Sequence, residues 1–120
     1  MRRSRYRSIQ QSSVFESDVD VDVVETPGAP LVLRARRLRR RGEDRRAMLI
    51  LREACHAAED CARLWTLYAA QCMRVGRRDD ASDALTRAVW LRERDRDAAR
   101  AKVTRDLLER LAQGCFPSAA

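Results

Sequence analysis

"RLRRRGEDRRA" occupies residues 37–47 and "RVGRRDDASDA" occupies residues 74–84. Each holds a single glycine, Gly42 or Gly76, and in each an alanine follows five residues later, Ala47 or Ala81. Ahead of Gly42, the residues Leu31, Ala35 and Leu38 recur at i, i+4 and i+7, the spacing of one helix face. A glycine just past such a stripe fits the left-handed position that ends a helix. Asp44, and after Gly76 the pair Asp79 and Asp80, suit the positive end of a new helix. The two stretches therefore read as the turns of two helical hairpins.

Working outward, the periodicity predicts five helices. The first runs from Leu31 to the turn at Gly42. The second starts near Asp44 and carries Ala47, Met48, Ile50, Leu51, Ala54 and Cys55 on its apolar face. A third runs from about Ala62 and stops before Gly76. A fourth follows "RRDD" and carries Ala81, Ala84, Leu85, Ala88 and Val89. A fifth, from about Arg96 to Gln113, places Ala99, Val103, Leu107 and Leu111 on its inner face and ends at Gly114. Connections this short force antiparallel neighbours. The expected fold is all-α, a short solenoid of antiparallel hairpins over residues 31–114. Residues 1–30 are expected to form a disordered arm, basic and then acidic, and 115–120 a tail.

The hairpins look like copies. A shift of 34 residues lays Leu33 on Leu67, Ala35 on Ala69, Arg40 on Arg74 and Gly42 on Gly76. It also lays Ala47 on Ala81, Leu51 on Leu85, Ala54 on Ala88 and Glu59 on Glu93. Most matches fall on small or apolar positions, where paired helices must touch. In this respect the chain resembles the tetratricopeptide repeat family, whose unit is a helical hairpin of ~34 residues. Over residues 62–95, Trp65 stands in that family's tryptophan slot, Tyr68 in its leucine slot and Cys72 in its tyrosine slot. Ala69, Ala81 and Ala88 take its small-residue slots, Gly76 its turn and Leu85 its aromatic slot. Over residues 28–61 the same slots hold Leu31, Arg34, Ala35, Leu38, Gly42, Ala47, Leu51 and Ala54. Glu59 and Glu93 replace the closing proline, and Arg34 stands where an apolar residue belongs. In the continued register Lys102 and Asp106 fall on apolar slots, so the fifth helix reads as a cap over the open end.

The resemblance implies a non-enzymatic binding module, an adaptor or scaffold whose first helices line a groove for a peptide or helix. It assigns Val32, Arg36, Arg39 and Arg40 to that groove from the first unit, and Arg63, Thr66, Ala70, Met73 and Arg74 from the second. Such a groove is basic over a small apolar floor and suits an acidic protein or peptide. Val32, Arg36 and Leu67 occupy the places where the family's chaperone-tail clamp carries a lysine and asparagines, so that specificity is not implied. Trp90 aligns with His56 and is expected either to be buried beneath the fifth helix or to anchor a partner.

Charge keeps a second partner class in view. The chain carries a net charge of +7 and a pI near 10.2, which raises the expectation of a nucleic-acid partner for the arginine-rich first helix. Two points weigh against it. All basic residues but Lys102 are arginine, and arginine and alanine share G/C-rich codons, so coding bias alone yields this composition. In addition, only Tyr6 is an aromatic residue among the arginines, which leaves no stacking platform for bases. A third reading treats the arginines as the solvated outer face of a terminal repeat.

Other classes find little support. His56 is the only histidine, and no nucleophile, phosphate-loop or paired metal-ligand motif occurs. Cys55 and Cys61 lie about 120° apart on a helix, so no metal or other cofactor is expected. No run approaches the ~20 apolar residues of a membrane span. The basic start lacks the apolar segment of a secretory signal. A cytoplasmic protein with reduced cysteines and no membrane partner is the expectation, with homodimerisation as a way to complete a small stack. The segment at residues 16–25, "ESDVDVDVVE", carries five carboxylates a short linker ahead of the arginine-rich helix. It is expected to be able to shield the groove.

Overall fold

A computed structural model describes residues 28–114. The basic and acidic parts of the arm, Tyr6 and Cys115 lie outside the described residues. Five helices account for almost all of the described chain: α1 (Ala29–Arg40), α2 (Asp44–Ala57), α3 (Ala62–Arg74), α4 (Arg78–Arg94) and α5 (Ala98–Ala112). No strand occurs among the described residues. Each helix packs on the next in chain order, α1 on α2, α2 on α3, α3 on α4 and α4 on α5. The architecture is all-α, a helical-hairpin solenoid of 52 × 35 × 29 Å.

The core repeats with the sequence. Ala35 and Ala69, Ala47 and Ala81, Leu51 and Leu85, and Ala54 and Ala88 are buried as matched pairs. Ala47, Ala54, Ala81 and Ala88 are wholly inaccessible. At these points a larger side chain would push the helix axes apart, because interiors this closely packed leave no spare volume. Leu64 and Leu91, also fully buried, supply the bulk that the alanines do not. One buried cluster runs from Ala29 on α1 to Leu111 on α5.

The turns share one geometry. After α1, the Gly42 amide donates to the Arg39 carbonyl and the Glu43 amide to the Leu38 carbonyl, both at 2.9 Å. After α3, the Gly76 amide donates to Met73 and the Arg77 amide to Cys72, at 3.1 and 2.8 Å. This paired closure satisfies two carbonyls that a helix end leaves open, and it needs the positive φ seen at Gly42 (82°) and Gly76 (80°). No atom crowds either glycine, so the requirement is conformational. After α4 the same pair forms, Arg96 to Glu93 and Asp97 to Arg92, with Arg96 held at φ 61°. A left-handed L-residue costs about 1–2 kcal/mol. Arg96→Gly should therefore raise the unfolding free energy by about 1 kcal/mol, measured by urea denaturation. A variant less stable than the parent would show that the Arg96 side chain contributes more than its backbone costs.

That third turn alters the fifth helix. In the 34-residue register α4 would end near Leu91 and α5 begin near Arg96. Instead α4 continues to Arg94 and α5 begins at Ala98, two residues late. The expected inner face is corrected in its first half, while Leu107, packed against the core, and Leu111 keep the places expected of them. Ala99 is exposed and Val103 is 59% exposed, while Ala101, Thr104 and Leu111 are buried. Thr104 is seated by two bonds of 2.7 Å, donating to the Arg100 carbonyl and accepting from Arg92 Nη1. Arg105 also pairs with Glu93 across the α4–α5 contact.

Candidate functional site

The alternation of the helices creates two grooves, each between a helix and its next-but-one neighbour. In the first, Val32, Ala35, Arg36 and Arg39 of α1 face Leu67, Ala70 and Gln71 of α3, with Leu51 of α2 as the floor. It encloses about 230 Å³. In the second, Arg52, His56 and Glu59 at the C-terminal end of α2 face Asp80, Asp83, Ala84 and Arg87 of α4, with Trp65 and Tyr68 of α3 beneath.

Charge separates the two. The second groove mixes Arg52 and Arg87 with Glu59, Asp80 and Asp83. Among the described residues, the first has Arg36 and Arg39 as its charged lining and no carboxylate. Helix α1 holds five arginines and no acidic residue. Arg37, Arg39 and Arg40 lie in its last turn, where positive charge is favoured by the helix dipole at about 0.3–1 kcal/mol each. Helix formation thus tolerates the cluster without any local carboxylate. Several arginines of the other helices and turns form ion pairs: Arg46 with Glu43, Arg74 with Asp44, Arg77 with Asp80, Arg94 with Asp60 and Asp95, Arg100 with Asp97. Arg39 has no such partner among the described residues.

Of the residues that the sequence assigns to the groove, Val32, Arg36, Arg39 and Ala70 come together on its walls. Arg40 is exposed beyond its edge. Arg63 is half-buried with its Nε unbonded. Thr66 Oγ1 donates back to the Ala62 carbonyl at 3.0 Å, and Met73 packs against the core. Arg74 Nε lies 3.3 Å from Asp44 Oδ1. None of these five lines the first groove.

Sequence reasoning passed over Gln71, which is 2% exposed. Its Nε2 donates to the Asp44 carbonyl at 2.9 Å and to Asp44 Oδ1 at 3.3 Å. One wall of the groove is therefore clamped to the start of α2. A contact across 27 residues leaves no periodic trace in the sequence.

Trp90 is not buried under α5: it is 53% exposed. The guanidinium groups of Arg87 and Arg94 lie 5.3 and 5.6 Å from its ring centroid, within range of a cation–π attraction. Trp65 is half-buried instead, its Nε1 donating to the Glu59 carbonyl at 2.8 Å and its ring edge-on to Tyr68 at 6.4 Å.

The buried thiols lie behind these walls. Burial first, and then the neighbouring Cys61 and Cys72, push Cys55 up to about 12. Burial, followed by the adjoining Cys72 side chain, pushes Tyr68 up to about 12. Burial also raises Cys72. These groups stay protonated at neutral pH and act as packing. No three His, Cys, Asp or Glu side chains converge as a metal site among the described residues, and no described helix is long and apolar enough to cross a membrane. Comparison with protein-family models, with curated proteins and with solved structures returns no match for this chain.

Proposed function

We propose that this chain is a tetratricopeptide-like binding module, without catalytic activity, that holds an acidic peptide or helix in the groove between α1 and α3. One observation carries the reading: among the described residues, Arg36 and Arg39 flank an apolar floor of Val32, Ala35, Leu51, Leu67 and Ala70 with no carboxylate in the lining. An acidic ligand with apolar residues on one side can bury the latter on the floor and place its carboxylates beside the guanidinium groups. Arginine suits this task, because its planar fork meets a carboxylate through two parallel hydrogen bonds. The 34-residue echo, preserved in the paired buried alanines, supports the family resemblance.

The alternative is nucleic-acid binding by the arginines of α1. The aromatic side chains Trp65 and Tyr68 line the opposite groove and Trp90 lies on α4, so among the described residues no base-stacking surface lines the groove beside α1.

Fluorescence anisotropy with a labelled decapeptide of alternating Glu and Val tests the proposal. The double replacement Arg36→Ala and Arg39→Ala should weaken binding by about tenfold or more, or about 1.4 kcal/mol. Arg77→Ala, on the far side of the turn, should leave it unchanged. If labelled single-stranded DNA binds more tightly than the peptide, and its salt slope shrinks with the same two replacements, the nucleic-acid reading takes its place.

A further inference from the structure

The groove's nearest acidic candidate is in the chain itself. Residues 16–25 hold Glu16, Asp18, Asp20, Asp22 and Glu25, and only Thr26 and Pro27 separate them from Gly28. Gly28 fixes where that segment meets the fold. Its φ is +79°, and a β-carbon there would lie 3.4 Å from Ala54 Cβ and 3.7 Å from Leu64 Cδ1. The chain therefore enters wedged against α2 and α3. These two helices, with α1, are the same three that form the basic groove.

We propose that the segment at residues 16–25 is an intramolecular ligand of the groove between α1 and α3, occupying it until a stronger acidic ligand displaces it. This rests on the reading of that groove as an acidic-peptide site. Three properties match. First, the alternation of Asp18, Asp20 and Asp22 with Val19, Val21 and Val23 puts carboxylates and apolar groups on opposite sides of an extended strand. The groove offers the complement, an apolar floor of Val32, Leu51, Leu67 and Ala70 beside Arg36 and Arg39.

Second, the reach is sufficient. Val32 and Arg39 are seven residues apart on α1, about 10 Å along the axis. Ten extended residues span about 33 Å, so the segment can double back along α1 with length to spare. Third, a short tether gives an effective concentration on the order of millimolar. Contacts too weak to hold a free peptide then suffice to hold this one. An arm covering the groove about nine-tenths of the time lowers the apparent affinity of any competitor about tenfold.

The test uses the full chain and its variant with Asp18→Asn, Asp20→Asn and Asp22→Asn together. These changes remove three charges outside the folded helices. Two measurements are made: binding of the Glu–Val decapeptide at low salt, and amide chemical shifts by NMR. The variant should bind the peptide about tenfold more tightly, and its shifts should differ from the parent's at Val32, Arg36, Leu67 and Ala70. Equal peptide affinity with no shift difference at the groove would overturn the proposal while leaving the groove a binding site. A decapeptide that binds neither protein, with groove shifts still differing, would refute the wider ligand class and keep the intramolecular contact. If the shift differences grow with protein concentration and sedimentation shows a dimer, the groove takes the arm of a second copy, and the intramolecular proposal falls.

Discussion

Leu64→Ala should lower the unfolding free energy by about 2–5 kcal/mol, the cost of lost burial plus the cavity left behind. Leu64 is among the largest fully buried side chains. It lies on α3 and reaches toward Gly28 at the start of α1, so its loss loosens the junction where the first and third helices meet. A domain this small commonly has only about 5–15 kcal/mol in hand, and the replacement removes a large share. Its surroundings cannot close the gap, because Ala54, which meets the same glycine, is short and α2 and α3 are pinned by the Gln71–Asp44 clamp. Urea denaturation should show a lower midpoint with an unchanged slope. Leu49→Ala, at a site 48% exposed, should cost no more than about 0.5 kcal/mol. A loss below 1 kcal/mol for Leu64→Ala would mean that the stack can collapse at that junction.

Alkali should weaken the domain through two buried groups. Cys55 and Tyr68 ordinarily ionise near 9.0 and 10.0, and the fold holds both near 12. Each keeps its proton more firmly when folded, so its contribution is complete below the unfolded value. It is then lost progressively as pH rises toward the folded one. Each unit between the two values corresponds to about 1.4 kcal/mol. At pH 11 the two groups together should remove about 4 kcal/mol relative to pH 8. Denaturation curves at both pH values, under reductant, measure the difference. In Cys55→Ala the same pH step should cost about 2–3 kcal/mol less. Stability that stays level up to pH 11 would contradict the burial of both groups.

What the sequence disclosed and what it withheld have separable physical causes. The hairpins were legible because Gly42 and Gly76 mark turns that require a positive φ, and because alanine recurs where two helices touch. The fifth helix was misread because its preceding turn uses the same backbone form without the glycine. Arg96 gives no outward sign of a left-handed conformation, so the three-residue extension of α4 and the two-residue delay of α5 went unseen. For Trp90 the sequence left burial beneath the fifth helix and a partner anchor both open; it is exposed, with Arg87 and Arg94 of its own helix, at i−3 and i+4, within cation–π range. Of the groove, the α1 wall of Val32, Arg36 and Arg39 followed from the family resemblance, as did Ala70 on the facing helix. The rest of the opposite wall depended on Gln71, whose position is set by a hydrogen bond to Asp44, and on Leu67, which was matched to a clamp position of the family but not assigned to this groove.

The late start of α5 makes its two sides unlike. Toward α4 it buries Ala101 and Thr104, and Thr104 takes a hydrogen bond from Arg92. Its exposed residues include Lys102, Arg105 and Asp106, with Val103 among them at 59% exposed. A stack of hairpins must stop showing apolar surface somewhere, and among the described helices α5 does so with charge, which lets the last described layer face water without a further apolar partner.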